Sequence, residues 1–273
     1  MKGFDGRVVA ITGAGSGIGR ALAVDLAGRG AHVALSDIDS VGLAETVARC
    51  EGSGVKVTSQ HVDVADRAEV FAWAAEVVAS HGKVNVIINN AGVAVGATVE
   101  RMSYEDLEWL IGINFWGVVH GTKAFLPHLK AAGEGHIVNL SSVFGLISIP
   151  SQSAYNAAKF AVRGFTDALR MELEIEPCGV SSTTVHPGGI KTNIVNNARL
   201  DDSVTGGAAK ARSEFDRVAR TSPEKAARVI LAAVEQNRRR VLIGADAKAI
   251  DLVSRLPAGL YQRVLVAGAK RRG

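Results

Sequence analysis

The stretch Arg7-Val8-Val9-Ala10-Ile11-Thr12-Gly13-Ala14-Gly15-Ser16-Gly17-Ile18-Gly19 decides the fold. Its first half is a short β-branched apolar run, the pattern of a strand buried on both faces. Its second half places glycine at 13, 15, 17 and 19 and opens onto the amphipathic stretch Ile18 to Arg29. Glycines allow positive φ and let a backbone approach an anion closely. A helix that starts there adds unpaired N–H groups and a partial positive charge. Glycine also makes plain turns, so the weight of the signal lies in its position between strand and helix.

The same alternation continues outward along the chain. Ala31 to Ser36, Val55 to Val62, Val84 to Asn89, His136 to Leu140, Val180 to Val185 and Val241 to Ile243 are predicted strands. Ala65 to Ser80, Glu105 to Lys130 and Ser153 to Ile175 are predicted helices, and another starts near Pro223. Strand and helix in turn over the whole length imply an α/β fold. It is a single Rossmann-type doubly wound parallel sheet of about seven strands, with helices on both faces. One catalytic domain is expected over residues 1–245, with a helical C-terminal extension over 246–273. Gly188 to Ser222 is too long for an ordinary connection and is expected to form a lid over a substrate.

Composition narrows the class. Hydrophobic residues make up 47% and charged residues 21%, which excludes disorder, coiled coil and collagen. The net charge of +4 is uneven: Asn237 to Gly273 holds nine basic and two acidic residues. The body is therefore slightly acidic, which argues against a nucleic-acid partner. Cys50 and Cys178 form no CxxC or Cys/His cluster, and the seven histidines are scattered, so no metal site is expected. No signal peptide or membrane-spanning run stands out, and a cytoplasmic location is the expectation. His186, beside Pro187, is expected to pack rather than to ligate.

Asp37 lies eighteen residues beyond Gly19, at the end of the second predicted strand. A carboxylate there can accept both hydroxyls of an adenosine ribose and repels a 2′-phosphate, which favours NAD over NADP. No Lys or Arg follows it. The competing reading is a helix cap, a job that Ser36, Asp39 or Ser40 can also do.

Tyr155 and Lys159 form a YxxxK pair, one helical turn apart on one face. A tyrosine, with a usual pKa of about 10, needs a neighbouring ammonium to act as a base at neutral pH. Ser142 follows the HIVNL strand, at the edge where parallel sheets bind ligands. Its hydroxyl can donate to a carbonyl or alkoxide; the alternative is a loop cap, the role expected of Ser141.

Together these pieces resemble the short-chain dehydrogenase/reductase family, from about Gly6 to Gly244. Its TGxxxGxG pattern is met by Thr12, Gly13, Gly17 and Gly19, and its Asn-Asn-Ala-Gly segment by Asn89, Asn90, Ala91 and Gly92. Its helix asparagine is met by Asn114, its serine by Ser142, and its YxxxK by Tyr155 and Lys159. Pro187, Gly188 and Thr192 meet its Pro-Gly turn, and Asp63 with Val64 its adenine contact. The resemblance implies Tyr155 as general acid/base, with Lys159 holding the nicotinamide ribose and, together with the cationic nicotinamide ring, depressing the tyrosine pKa. It implies Ser142 on the substrate oxygen and Asn114 holding a relay water. The loop residues Gly13, Gly15, Ser16, Gly17, Ile18 and Gly19 would hold the pyrophosphate. Ile190 and Thr192 would fix the carboxamide. It also implies a homo-oligomer, tetramer or dimer, built on the two long helices.

The implied reaction is an NAD-dependent exchange between a secondary alcohol and a ketone. Phe144, Leu146, Ile147 and Ile149 suggest an apolar pocket wall and a hydrophobic small-molecule substrate. An NADPH-dependent ketoreductase of acyl thioesters is the alternative within enzymology, and Asp37 opposes it. A non-catalytic dinucleotide sensor is the alternative outside it, and the Asn114, Ser142, Tyr155 and Lys159 set opposes that. Lys191 is expected to face solvent. In the extension, Ile250, Val253 and Leu256, then Tyr261, Val264 and Leu265, give apolar faces ahead of Lys270-Arg271-Arg272. The two readings are a weak peripheral membrane contact and a helix packed on a subunit.

Overall fold

The computed structural model describes residues 1–201, 213, 215 and 217–270. Seven parallel strands form the main sheet: β1 (Val8–Thr12), β2 (His32–Asp37), β3 (Val57–His61), β4 (Val86–Asn89), β6 (Gly135–Leu140), β7 (Val180–Pro187) and β9 (Arg240–Ile243). Their order is β3-β2-β1-β4-β6-β7-β9. The strand count, direction and helical cover agree with the expectation from the sequence. β5 (Val95–Gly96) and β8 (Arg199–Leu200) pair separately as a small two-stranded sheet.

The helices are α1 (Gly17–Gly28), α2 (Ser40–Cys50), α3 (Arg67–His81), α4 (Tyr104–Ile111), α5 (Gly117–Ala131) and α6 (Ser153–Ile175). After them come α7 (Pro223–Glu235), α8 (Ala245–Val253) and α9 (Ala258–Lys270). Successive strand residues point to opposite faces, so each strand feeds two cores. Val9 and Ile11 of β1 pack with Leu22 and Leu26 of α1 and Ile230 and Leu231 of α7. Val8 and Ala10 pack on the other face with Trp73 of α3 and Phe125 of α5. Trp73 and Phe125 meet edge to face, their ring centroids 5.1 Å apart.

The single helix expected over 105–130 is broken. A π-helical turn over Gly112–Trp116 separates α4 from α5, closed by the Gly117 N–H on the Gly112 carbonyl. Gly117 lets the chain pass close to Val64: a Cβ there would sit 2.8 Å from Val64 Cγ2. Extra residues in a helical turn re-aim a side chain, and the one aimed here is Asn114.

Two connections place the site. The strand order reverses direction between β1 and β4, which opens a crevice at their C-terminal ends. Thr12 Oγ1 accepts the N–H groups of Asn90 at 3.0 Å and Ala91 at 3.1 Å. Asn90 Nδ2 in turn donates to the carbonyls of Thr12 at 2.9 Å and Gly13 at 3.0 Å. The two loops are thus locked to each other. Of the segment expected to form a lid, Arg199 is stacked over Trp109 at 3.9 Å and paired to Asp106 at 2.9 Å. Residues 202–212, 214 and 216 of that segment, and 271–273 of the tail, lie outside the described residues.

Candidate active site

The glycine loop leaves the start of α1 open. Ser16 occupies the N-cap position but its side chain makes no capping bond, and the first turn carries no acidic residue. The first-turn N–H groups therefore have neither a capping side chain nor an acidic neighbour in their own turn. Gly17 has φ +53, a conformation that suits glycine, and a Cβ there would lie 3.1 Å from the Thr192 methyl. A side chain at this point would fill the gap between the loop and the 187–192 segment.

Asp37 closes the adenosine end. Its Oδ2 accepts the Gly15 N–H at 2.7 Å and its Oδ1 the Asp39 N–H at 2.9 Å. Helix α2 is capped by Asp39, whose carboxylate accepts the Gly42 N–H at 3.0 Å, so Asp37 is not the cap. Each carboxylate oxygen of Asp37 retains a lone pair for a hydroxyl donor. Asp63 Oδ1 accepts from Ala65 N at 2.9 Å, and Val64 beside it is buried. Sequence reasoning missed Arg20. Its guanidinium donates to the Gly15 carbonyl and, at 3.1 Å, to the Gly42 carbonyl, and pairs with Glu45 at 2.9 Å. It braces the loop from beneath, and only its place one residue past the last glycine hinted at this.

Beside the crevice, β6 ends and α6 begins. Ser142 Oγ accepts the Phe144 N–H at 3.1 Å, so the hydroxyl proton remains to be donated elsewhere. Ser142, not Ser141, is therefore the loop cap. Ser141 instead donates to the Lys159 carbonyl at 2.7 Å and ties the strand end to α6. Behind Ser142, the fully buried His186 places Nδ1 2.9 Å from the Ser142 carbonyl. That carbonyl can only accept, which fixes the proton on Nδ1. Burial holds this imidazole down to about 4, so it is neutral.

Tyr155 stands over this point, its ring edge-on to Phe144 at 6.1 Å. Lys159 is buried; its ammonium nitrogen lies 5.5 Å from the Tyr155 ring centroid and donates to the Leu140 carbonyl at 3.0 Å. The tyrosine pKa differs from the expected depression. Burial pushes it up to about 12, and the Ser142 hydroxyl pulls only weakly the other way. Burial also lowers Lys159 to about 8. Both shifts have one cause: in a dry cleft each group resists its charged form.

Asn114 bonds Val93 at both ends of its amide, accepting from Val93 N at 2.8 Å and donating to Val93 O at 2.8 Å. A Cβ on Gly92 would sit 3.2 Å from Asn114 Oδ1 and 3.6 Å from Lys159 Nζ, so glycine keeps open a gap between them. Leu146 and Ile147 are buried, Phe144 and Ile149 are half-buried, and Phe144 meets the Tyr155 ring.

The 187–192 segment lies across the glycine loop and is pinned from three sides. Gly188 N donates to Ile243 O at 2.9 Å, and Lys191 N to Thr221 O at 2.9 Å. Gly189 N donates to Asp246 Oδ2 at 2.6 Å. The Asp246 carboxylate fills the space where a Cβ on Gly188 or Gly244 would go. Asp246 belongs to the extension and was not anticipated; its contact spans 57 residues. Ile190 is buried, while Lys191 is exposed. Among the described residues no cluster of His, Cys, Asp or Glu can hold a metal ion.

A doubly wound sheet with a glycine loop at its switch point, and Ser, Tyr and Lys gathered beside that loop, defines a dinucleotide-dependent oxidoreductase scaffold. The comparisons supply the family. The short chain dehydrogenase model matches residues 7–203, and the chain belongs to that family of oxidoreductases. SadH of Mycobacterium tuberculosis, which carries the name of a candidate oxidoreductase, is 50% identical over 99% of this chain and 98% of its own length. A short chain dehydrogenase/reductase from Burkholderia phymatum, solved in complex with NAD, is 33% identical. It superposes with a TM-score of 0.86, covering 94% of each chain. Levodione reductase superposes with a TM-score of 0.80 at 31% identity, over 90% of this chain and 99% of its own.

Proposed function

We propose that this chain is an NAD-dependent oxidoreductase that interconverts a secondary alcohol and a ketone on a largely hydrophobic small molecule. The observation that carries the reading is the convergence of Ser142, Tyr155 and Lys159 at the end of β6, beside a glycine loop whose far end is closed by Asp37. The open first turn of α1 fits a pyrophosphate. The Gly17 gap fits a chain passing between loop and turn, and Asp37 fits a ribose diol. The solved Burkholderia relative, in complex with NAD, supports that choice of dinucleotide.

The cofactor supplies the hydride chemistry. The chain's own residues manage the proton and the orientation. Gly13, Gly15, Ser16, Gly17, Ile18 and Gly19 bind the pyrophosphate; Asp37 binds the adenosine ribose, with Asp63 and Val64 at the adenine. Asn90, Ala91 and Gly92 line the crevice. Pro187, Gly188, Ile190 and Thr192 orient the carboxamide. Tyr155 exchanges a proton with the substrate oxygen. With its pKa near 12 in the free protein, the phenol is a proton donor at rest; it becomes a base only when positive charge gathers beside it. Lys159 supplies one such charge and holds the nicotinamide ribose. Ser142, whose hydroxyl proton is turned toward Tyr155 in the free protein, donates to the substrate oxygen. Asn114 orders a water that relays protons between Lys159 and solvent. The protein works as a homo-oligomer in the cytoplasm, the latter resting on its two free cysteines.

Tyr155→Phe tests the reading. Turnover of secondary alcohols with NAD is expected to fall by about 10²- to 10⁴-fold, while NADH binding is retained. Unchanged turnover would refute the role of Tyr155. Intact cofactor binding with no turnover of any alcohol by the parent protein would favour the sensor reading.

A further inference from the structure

The C-terminal pair of helices leaves an apolar surface that the chain itself does not cover. Leu252 near the end of α8, Leu256 in the connection, and Leu260 and Val264 on α9 are 69%, 45%, 51% and 66% exposed. Within α9, Leu260 and Val264 share one face, and among its described side chains only Tyr261 and Leu265 are half-buried. No described side chain of α9 is buried. A helix that spent its apolar face on the body would show a buried stripe, as α7 does with Ala226, Ile230, Ala233 and Val234. The reading in which the extension packs against its own chain thus fails for α9.

Charge selects what does cover it. From Leu252 to Gly273 the sequence has no acidic residue, and it carries Arg263, Lys270, Arg271 and Arg272 besides Arg255, which is paired with Asp251 at 3.0 Å. Arg263 and Lys270 lie seven apart, on the side of α9 that borders the Leu260 and Val264 face. Basic side chains at the border of an apolar face can lay their stems along acyl chains and keep their charges among headgroups. At 13 residues α9 spans about 20 Å, too short to cross a bilayer. Among the described residues no helix is long and apolar enough to do so. Pairing of this face with its equivalent on a second copy would set basic side chains opposite a surface that has no carboxylate from Leu252 onward, because a two-fold contact uses the same patch on both copies.

We propose that Leu252–Lys270 is a membrane-surface anchor: α9 lies in the interface of an anionic bilayer, with Leu260 and Val264 in the acyl boundary and Arg263 and Lys270 on the headgroups. Its root is α8, whose Asp246 holds the turn over the glycine loop, so the anchor sets the cleft close to the lipid surface.

Co-sedimentation of the full-length protein with vesicles tests this. The probes are phosphatidylcholine alone and phosphatidylcholine with phosphatidylglycerol. Expected is strong pelleting with the anionic vesicles, weak pelleting with the neutral ones, and release as NaCl rises. Each basic side chain near an anionic surface contributes about fivefold in partition, so Arg263→Glu with Lys270→Glu should lower binding by more than about 20-fold. Leu260→Asp with Val264→Asp should abolish it while alcohol turnover persists. Absence of binding to anionic vesicles would overturn the proposal, as would binding by both double variants equal to that of the parent. A loss of oligomer mass in the Leu260→Asp, Val264→Asp variant, measured by light scattering without vesicles, would also overturn it and assign the face to a second copy.

Discussion

The Gly15 N–H donates to Asp37 Oδ2 across 2.7 Å, so the glycine loop and the end of β2 form one unit. A 2′-phosphate would have to enter beside a carboxylate already fixed in place. Arg20, next to the last glycine of the loop, is held on the Gly15 and Gly42 carbonyls and on Glu45. Asp37→Ser should therefore weaken NADH binding by about 10- to 100-fold, the worth of a charged hydrogen-bond acceptor. It should weaken NADPH binding far less. Calorimetric titration of both cofactors reads the ratio; an unchanged ratio would remove Asp37 from the discrimination.

Asp246 is predicted to act through the turn that it holds. Asp246→Asn keeps the shape but removes the charge on the Gly189 N–H. The KM for NAD should rise by about tenfold, in line with a bond to a charged group, with a much smaller change in kcat. Hydride delivery from a stereospecifically deuterated cofactor should also lose fidelity. A fall in Tm with KM and fidelity intact would make Asp246 a purely structural residue.

Two glycines at opposite ends of α1 should respond in opposite directions. A Cβ on Gly19 would overlap the Gly13 carbonyl oxygen, a backbone atom that cannot step aside. Gly19→Ala is expected to cost about 1–3 kcal/mol and most of the cofactor affinity. A Cβ on Gly28 meets nothing within 4 Å. Gly28→Ala should be neutral or stabilise by up to about 1 kcal/mol, because it restricts the unfolded chain. Thermal denaturation of the pair decides this.

Acid should destabilise the chain through two buried imidazoles. Burial holds His136 down to about 3 and His186 to about 4. In the unfolded chain both protonate near about 6.5, so below that pH the unfolded state binds more protons. Stability is thus fully present above about pH 6.5 and falls as pH drops toward the folded values, by up to about 1.4 kcal/mol per pH unit for each histidine. His186→Asn should flatten the dependence of Tm between pH 6.5 and 5. Parallel curves for parent and variant would sink the assignment.

Much of this molecule was legible from the chain alone, for a local reason. Strand, glycine loop and helix are consecutive in sequence, and so are Tyr155 and Lys159 on one helical face; periodicity and spacing report such neighbours directly. The seven-stranded sheet follows from repeating that unit. Tertiary structure decided whatever depends on partners distant in sequence. Asp246 meets Gly189 across 57 residues, and Asn114 finds Val93 only because a π-helical turn divides the long helix. Ser142 rather than Ser141 caps the loop, because α6 brings the Lys159 carbonyl to Ser141. In the free protein burial raises the Tyr155 pKa, because desolvation is set by everything packed around a group and not by the residue four places on. Sequence spacing records which groups are neighbours along the chain; burial, and the fields that follow from it, arise only when the layers close.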